Sequence, residues 1–295
     1  MTRNDLRTCD PPLPVPTMPT AQLPPGSCDS HCHVFGPFDR FPLPDDRSFN
    51  PALAPETALR ALHDRLGIDR AVIVQSQGHG LDHRPLLEAL RTGAGRYRGV
   101  ALVRPQDPEE RIAGYDAAGV RGARFNFLPH LGGRPDLDAI RTVAARVRVH
   151  DWHLAVHVAG EDIVKFESFL HEMSRQLRIV VDHMARVDLQ AGTAGPGVAA
   201  LRRLVDTGRV WVKLSGADRL SGAGAPFHDV APLLRSLVDH APERVLWGSD
   251  WPHVNLSAPM PDDGVLLNLV LDAVPEAALR QKLFVGNPAA LFGFA

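Results

Sequence analysis

The chain has 295 residues, with 32 lysines and arginines against 34 aspartates and glutamates, and its formal net charge is -2. Hydrophobic residues make up 44% and charged residues 22%, which are ordinary values for a globular protein that buries a core. The balanced charge argues against a basic nucleic-acid-binding protein and against a polybasic membrane anchor.

The chain carries no signal for a membrane or an oxidising compartment. No apolar run approaches the roughly 18 residues of a transmembrane helix, and the polar, proline-rich start lacks the apolar core of a secretory signal. The three cysteines, Cys9, Cys28 and Cys32, are too few for a disulfide framework. We therefore expect a cytoplasmic protein without a membrane or nucleic-acid partner. The sequence does not indicate its oligomeric state.

The first 27 residues predict an extended arm, because proline is excluded from the interior of helices and sheets. The prolines of this segment are Pro11, Pro12, Pro14, Pro16, Pro19, Pro24 and Pro25. Residues 28–295 then predict a single domain, in which the segment 40–55 after the first strand is long enough to cover a pocket.

Eight short apolar runs follow the arm at spacings close to one strand–helix unit each. They begin near Asp29, Ala71, Gly99, Arg121, His153, Arg178, Arg209 and Arg244. Helical patterns separate them, including a single helix predicted to open at Glu161–Asp162 and to run through residue 173. This alternation predicts a parallel sheet covered on both faces, and eight units favour a (β/α)8 TIM barrel over an open doubly wound sheet. No glycine-rich nucleotide-binding fingerprint follows the first run.

Histidines and one carboxylate lie where a barrel places its chemistry, at the carboxyl ends of the strands. His31 and His33 are two residues apart on the first strand, so both side chains lie on one face, here toward the barrel interior. His157, His183 and Asp250 lie on or directly after the fifth, sixth and eighth strands. Such a group could bind a metal or polarise a carbonyl, and the carboxylate could act as a general base for water.

Six segments taken together resemble the amidohydrolase superfamily, and in particular its branch of lactonases. They are DSHCHVFGP, GARFNF, VVDHMAR, WVKLSGADRL, WGSDWPH and VGNPAALFGF, and the resemblance extends from about residue 28 to the end. It implies a TIM barrel and the hydrolytic opening of a lactone ring. By the same resemblance Asp250 is expected to deprotonate water, while His31, His33 and His183 polarise the lactone carbonyl.

The resemblance also implies a set of substrate-binding residues. These are Ser76, Arg124, Arg219, His253 and Asn255. His130 and His157 stand where the family pattern has an arginine and a tyrosine, and we expect them to contact the substrate as well. Guanidinium groups suit an anionic lactone, because they pair with carboxylates through two parallel hydrogen bonds.

The resemblance is compatible with a bound metal or with none, since some superfamily members bind zinc and others work without it. If a metal binds here, the expected ligands are His31, His33, His157 and Asp250, a donor set that suits zinc. The fourth strand has no lysine, so a lysine-bridged pair of metals is not expected. The cofactor prediction is therefore either none or one divalent metal.

The leading expectation is a lactonase that acts on 2-pyrone-4,6-dicarboxylate or on a related muconolactone-type dicarboxylate. The alternatives are a zinc-dependent decarboxylase of an unsaturated dicarboxylate, a sugar-acid lactonase, and a barrel that binds an anionic small molecule without converting it.

Overall fold

The computed structural model describes residues 6–128 and 136–294. Within them, eight parallel strands form one sheet, and their order in the sheet is their order in the chain. The strands are β1 (Cys28–Cys32), β2 (Arg70–Val74), β3 (Tyr97–Ala101), β4 (Val120–Asn126), β5 (His153–His157), β6 (Ile179–Val181), β7 (Val210–Leu214) and β8 (Val245–Trp247). Each coincides with a predicted apolar run, and the predicted TIM-barrel fold is confirmed.

The segment after β8 runs along β1 and brings the two ends of the sheet together. The amide of His33 donates to the carbonyl of Trp251 at 2.8 Å, and the amide of Asp250 donates to the carbonyl of His31 at 2.8 Å. A Cβ atom at Gly248 would lie 2.7 Å from the Cβ atom of His31, so this approach requires glycine. It places the end of β8 directly beside the two histidines of β1.

Helices surround the strands. They are α1 (Glu56–Leu66), α2 (Arg84–Thr92), α3 (Glu109–Ala117), α4 (Leu137–Val147), α5 (Asp162–Lys165), α6 (Glu167–Ser174), α7 (Pro196–Val205), α8 (Ala217–Leu220), α9 (Ala231–His240), α10 (Asp263–Ala273), α11 (Ala277–Gln281) and α12 (Asn287–Phe292). No helix of the described ranges is both long and apolar enough to cross a membrane.

The single helix predicted from Glu161–Asp162 onward was wrong, because the structure has two helices there. Phe166 separates α5 from α6 with φ -96° and ψ 2°, outside the α-helical region. Its ring packs edge to face on Phe127 with a centroid distance of 4.8 Å, beside the core at the end of β4. A tertiary contact therefore decides where this helix breaks, and helical periodicity alone does not reveal it.

The two ends of the barrel differ in chemistry. Phe292 and Phe294 of the C-terminal segment close the amino end of the strands and pack in one apolar cluster with Trp211 and Leu246. The carboxyl end instead holds His31, His33, His157, His183 and Asp250, all of them buried. The fold therefore gathers these predicted site residues at the end where barrel enzymes place their chemistry.

The described part of the arm, residues 6–27, follows the barrel surface and joins loops that are far apart in sequence. The amide of Cys9 donates to the carbonyl of Asn50 at 2.8 Å, and the amide of Asn255 donates to the Cys9 sulfur at 3.4 Å. Further along, the amide and hydroxyl of Thr17 donate to the Asp262 carboxylate at 2.9 and 2.7 Å. The arm thus contacts both the loop after β1 and the loop after β8.

Candidate active site

Three imidazoles face one carboxylate at the carboxyl end of the barrel. The Oδ1 atom of Asp250 lies 3.6 Å from Nε2 of His31, 3.5 Å from Nε2 of His33 and 3.8 Å from Nε2 of His183. Because side chains alternate between the two faces of a strand, His31 and His33 lie on the same face of β1. The contact between β1 and the segment after β8 brings Asp250 to these two histidines. The structure thus brings together the four residues expected to carry the chemistry.

The second oxygen of Asp250 is held by a guanidinium. The Nε and Nη2 atoms of Arg219 each lie 2.7 Å from Asp250 Oδ2, and Nη2 also donates to the carbonyl of Val254 at 3.0 Å. Burial would raise the pKa of Asp250, but the Arg219 charge, followed by His183, outweighs burial and holds that pKa well below its usual range. Asp250 is therefore a carboxylate near neutral pH, with Oδ1 left for chemistry.

A buried charged cluster lies beneath these histidines. The ammonium of Lys213 is 3.1 Å from Asp182 Oδ1 and 2.9 Å from His31 Nδ1, and Lys213 is fully buried in β7. The Arg124 guanidinium contacts the other Asp182 oxygen at 3.3 Å. Burial, followed by the Lys213 charge, lowers the pKa of His31 to about 4, so its imidazole is neutral near pH 7.

An unusual stretch of backbone sets the orientation of the His183 side chain. His183, Met184, Ala185 and Arg186 have φ angles of 53°, 50°, 53° and 45°, a run of left-handed residues that L-amino acids rarely adopt. The His183 ring meets the hydroxyl of Ser215 at 2.9 Å through Nδ1, which leaves Nε2 toward Asp250. Burial lowers the pKa of His183 well below its usual range.

A cavity opens beside Asp250. Its lining includes several of the predicted site residues, namely His33, Ser76, Arg124, His157, His183, Arg219, Asp250 and Asn255. His31 and His253 are not part of this lining. The Nε2 atom of His253 lies 3.0 Å from Asp263 Oδ1, and burial is outweighed by Asp263 and Asp218, which raise the pKa of His253. His130 lies outside the described residues.

The comparisons with known proteins agree with this geometry. A family model described as amidohydrolase matches residues 28–294, which is nearly the whole barrel. The chain belongs to the amidohydrolase family.

Similar proteins are named as lactone hydrolases. This amidohydrolase is 37% identical to the 2-pyrone-4,6-dicarboxylate hydrolase of Comamonas testosteroni, across 94% of this chain and 93% of that protein. It is 38% identical to the 4-sulfomuconolactone hydrolase of Rhizobium radiobacter, across 92% and 91% of the two chains. A solved apo structure from Agrobacterium tumefaciens superposes with a TM-score of 0.84 at 32% identity and covers 94% of this chain and 99% of that one.

Some cavity residues of this amidohydrolase were not predicted from its sequence. Arg186 lines the cavity, and its Nε atom is buried without a hydrogen-bond partner among the described residues. Burial, followed by the nearby Arg219 charge, lowers the pKa of Arg186 to about 10. Phe49, Gln77 and Val254 complete the lining. The signal for Arg186 was its place three residues after His183, but the left-handed run that turns it inward has no sequence signature.

Two side-chain groups of this centre are close enough to be considered as metal ligands. They are His31, His33 and Asp250, and His31, Asp182 and His183, with the potential ligand atoms of each group within 4.8 Å of one another. His157 belongs to neither group among the described residues. Its Nδ1 atom instead lies 3.2 Å from Nη2 of Arg124 and 3.2 Å from Oδ1 of Asn126. Whether the predicted set suits a metal therefore depends on where the imidazole protons lie.

Proposed function

We propose that this amidohydrolase opens the ring of a small carboxylated lactone by adding water to the ring ester. 2-Pyrone-4,6-dicarboxylate and muconolactone-type dicarboxylates, including sulfonated ones, are the candidate substrates, because similar proteins are named as hydrolases of such compounds. The observation that supports the proposal most directly is the position of the Asp250 carboxylate. One of its oxygens is fixed by Arg219 at 2.7 Å, and the other faces three imidazoles beside the cavity.

The proposed reaction begins with a water molecule beside Asp250 Oδ1. Asp250 takes one proton from this water, and the hydroxide adds to the lactone carbonyl carbon. Negative charge then develops on the carbonyl oxygen, where imidazole N–H groups stabilise it. The ring C–O bond breaks, and the proton taken by Asp250 passes to the departing ring oxygen. The product is an open-chain acid with the mass of the lactone plus one water.

The charge of the cavity supports an anionic substrate. Arg124, Arg186 and Arg219 line it together with one carboxylate, Asp250, which leaves an excess of two positive charges (three minus one). Burial lowers the pKa of His157 and of His183, so these imidazoles do not add charge near neutral pH. A lactone with two acidic substituents matches this excess. A neutral sugar lactone would instead call for a lining of uncharged hydrogen-bonding groups.

Hydrolysis of 2-pyrone-4,6-dicarboxylate and of muconolactones, followed by ultraviolet absorbance and by product mass, tests the proposal. We expect turnover by the wild type, and a kcat lower by roughly 10²–10⁴-fold in Asp250→Asn because the general base is lost. The KM should change little, since Asp250 faces water rather than the substrate carboxylates. Binding of an unreactive dicarboxylate to Asp250→Asn checks that the cavity is intact.

Two results would contradict the proposal. Near-wild-type turnover by Asp250→Asn would mean that another group is the base. Tight binding of every tested lactone by the wild type, with no product of added mass, would instead indicate a binding protein. Release of CO₂ from an unsaturated dicarboxylate would support the decarboxylase alternative.

We also propose a cytoplasmic location and a small-molecule substrate as the main binding partner, with no membrane or nucleic-acid partner. All three cysteines are unpaired and buried, which is typical of proteins in a reducing compartment.

A further inference from the structure

A buried lysine fixes the proton position of His31. The Lys213 ammonium lies 3.1 Å from the Asp182 carboxylate, which opposes the burial that lowers the pKa of Lys213 and favours its charged form. An ammonium has three donors and no acceptor. The Nδ1 atom of His31 lies 2.9 Å from the Lys213 ammonium and 3.3 Å from Asp182 Oδ1, and through the shorter contact it accepts a hydrogen bond from Lys213. The single proton of the neutral imidazole then lies on Nε2.

Arg124 imposes the same arrangement on His157. Its Nη2 atom lies 3.2 Å from His157 Nδ1, and a guanidinium has no acceptor, so this nitrogen also accepts. The amide of Asn126 lies 3.2 Å from the same nitrogen. Turning that amide so that Nδ2 donates to His157 also gives a partner to Nδ2, which is otherwise buried without one among the described residues. His157 therefore carries its proton on Nε2.

Both Nε2 atoms lack an acceptor. The Nε2 atoms of His31 and His157 are buried and make no hydrogen bond to any residue in the described ranges. The Nε2 atom of His31 lies 3.6 Å from the Asp250 carboxylate oxygen, which is too long for a strong bond. A buried donor without a partner costs about 1–3 kcal/mol, so a functional site is where such donors are expected.

We propose that Lys213 and Arg124 are positioning residues that hold His31 and His157 as Nε2–H tautomers, so that both rings present donors to oxygen atoms of the substrate. This inference rests on the proposed function, in which an oxygen of the lactone supplies the acceptor. His157 lines the cavity, whereas His31 does not and directs its N–H toward Asp250 Oδ1, 3.6 Å away, beside which the proposed attack on the lactone carbonyl takes place.

The predicted zinc site does not fit this arrangement. A histidine ligates a metal through a nitrogen lone pair, and the inward nitrogens of His31 and His157 carry protons. His33 differs, because its Nδ1 atom donates to the Val74 carbonyl at 2.7 Å and leaves a lone pair on Nε2. Of the four predicted ligands, His33 and Asp250 remain, which is fewer than the three or four protein ligands of zinc sites.

Nitrogen-15 NMR of protein labelled at histidine tests the tautomer directly, with the His31 signals assigned from their loss in His31→Gln. We expect the wild type to show an Nε2–H tautomer at His31. In Lys213→Met the remaining partner of His31 Nδ1 is Asp182 Oδ1, which lies 3.3 Å away in the wild type and is an acceptor only. The proton should then move to Nδ1. Lys213→Arg keeps a charged donor and should restore the wild-type pattern.

Zinc titration gives a second readout that does not depend on turnover. The wild type should take up zinc only substoichiometrically, and Lys213→Met should bind it roughly 10–100-fold more tightly, because a lone pair then faces Asp250. Lys282→Met is the matched control. It removes a lysine that pairs with Glu243 on the surface, and it should leave both the tautomer and the zinc affinity unchanged.

Three outcomes would overturn the inference. They are an Nδ1–H tautomer at His31 in the wild type, stoichiometric zinc binding by the wild type that His31→Gln abolishes, and an unchanged tautomer in folded Lys213→Met. If Lys213→Met does not fold, the two wild-type measurements still decide. Failure of the proposed function is distinguishable, since it would leave the predicted tautomer in a protein that hydrolyses no tested lactone.

Discussion

Arg186 brings a guanidinium into the cavity, and its Nε atom is buried without a hydrogen-bond partner among the described residues. The other two cavity arginines are already in use. Arg219 binds Asp250 at 2.7 Å, and Arg124 contacts Asp182 at 3.3 Å and His157 at 3.2 Å. Arg186 is therefore the group best placed to receive an acidic substituent of the substrate.

Arg186→Met should raise the KM for lactones with two acidic groups. The loss of one charge-assisted hydrogen bond, roughly 1.5–3 kcal/mol, corresponds to a KM higher by roughly 10- to 150-fold. A lactone with one acidic group should be affected much less if Arg186 holds the second. Steady-state kinetics with both substrates measure this difference. Arg60→Met, on the exposed face of α1, is the matched control and should behave as the wild type. Equal losses on both substrates would show that Arg186 does not recognise a second anion.

Periodicity was sufficient to find the candidate catalytic residues, but the charges around them depend on tertiary contacts. His31, His33 and Asp250 could be predicted because strand alternation and the ends of strands follow from local sequence. Arg219 was assigned to the substrate, whereas the structure pairs it with Asp250, 31 residues away in the chain. The pairing of Lys213 with Asp182 likewise joins β7 to the end of β6, and only the register of the sheet determines it.

At the scale of elements, the arm connects α10 with the mouth of the barrel. Gly264, near the start of α10, lies so close to Thr17 of the arm that a Cβ atom there would be 1.8 Å from the Thr17 carbonyl oxygen. The neighbouring Asp262 caps α10 through the amides of Gly264 and Val265 and also binds Thr17. The docking of the arm and the start of α10 therefore form one structural unit.

Gly264→Ala should displace the arm. The added methyl group cannot fit against backbone, so we expect a loss of about 1–3 kcal/mol of stability, typical of overpacking. Residues 6–20 should also become accessible to proteases. Gly114→Ala in α3 is the matched control, since its Cβ atom would meet nothing within 4 Å. That variant should gain about 0.5–1 kcal/mol from the removal of glycine from a helix. Urea unfolding and limited proteolysis measure both, and equal stability of the two variants would contradict the prediction.

The elements themselves differ in how far the sequence determines them. The eight strands are short apolar runs, and each was predicted at its place because burial on both faces demands such a run. The break between α5 and α6 at Phe166, and the path of the arm across two loops, were not predictable. Both depend on which surfaces meet after folding, as the contact of Phe166 with Phe127 illustrates.

At the scale of the whole molecule, the barrel buries several histidines in their neutral form. Burial is the largest cause in each case, and it lowers the pKa of His31 and His79 to about 4 and that of His153 to about 3. His153 lies at the amino end of β5, against Phe292 at 5.3 Å, and is not part of the cavity lining. Neutral burial is thus a property of the interior and is not confined to the candidate site.

This burial predicts that the protein loses stability on mild acidification. An unfolded histidine binds a proton as the pH falls through about 6.5, whereas these three do so only near pH 4 or below when folded. Between those values the unfolded state holds more protons, so the free energy of unfolding falls by up to about 1.4 kcal/mol per pH unit for each such histidine. Above pH 6.5 their contribution is fully present. The pKa of His253 is raised, so this one histidine instead stabilises the folded state as the pH falls.

Urea unfolding between pH 4.5 and 7.5 measures the slope, and His153→Gln isolates one contributor because glutamine does not titrate. That variant should be less stable at every pH, since its site is tightly packed against Gly122 and Phe292. Its stability should nevertheless fall less steeply between pH 6.5 and pH 4.5, by about 1.4 kcal/mol per pH unit relative to the wild type. An unchanged slope would mean that His153 binds its proton at the same pH in the folded and unfolded chains. The slope, unlike the absolute stability, therefore reports whether the interior of the barrel excludes charge at that position.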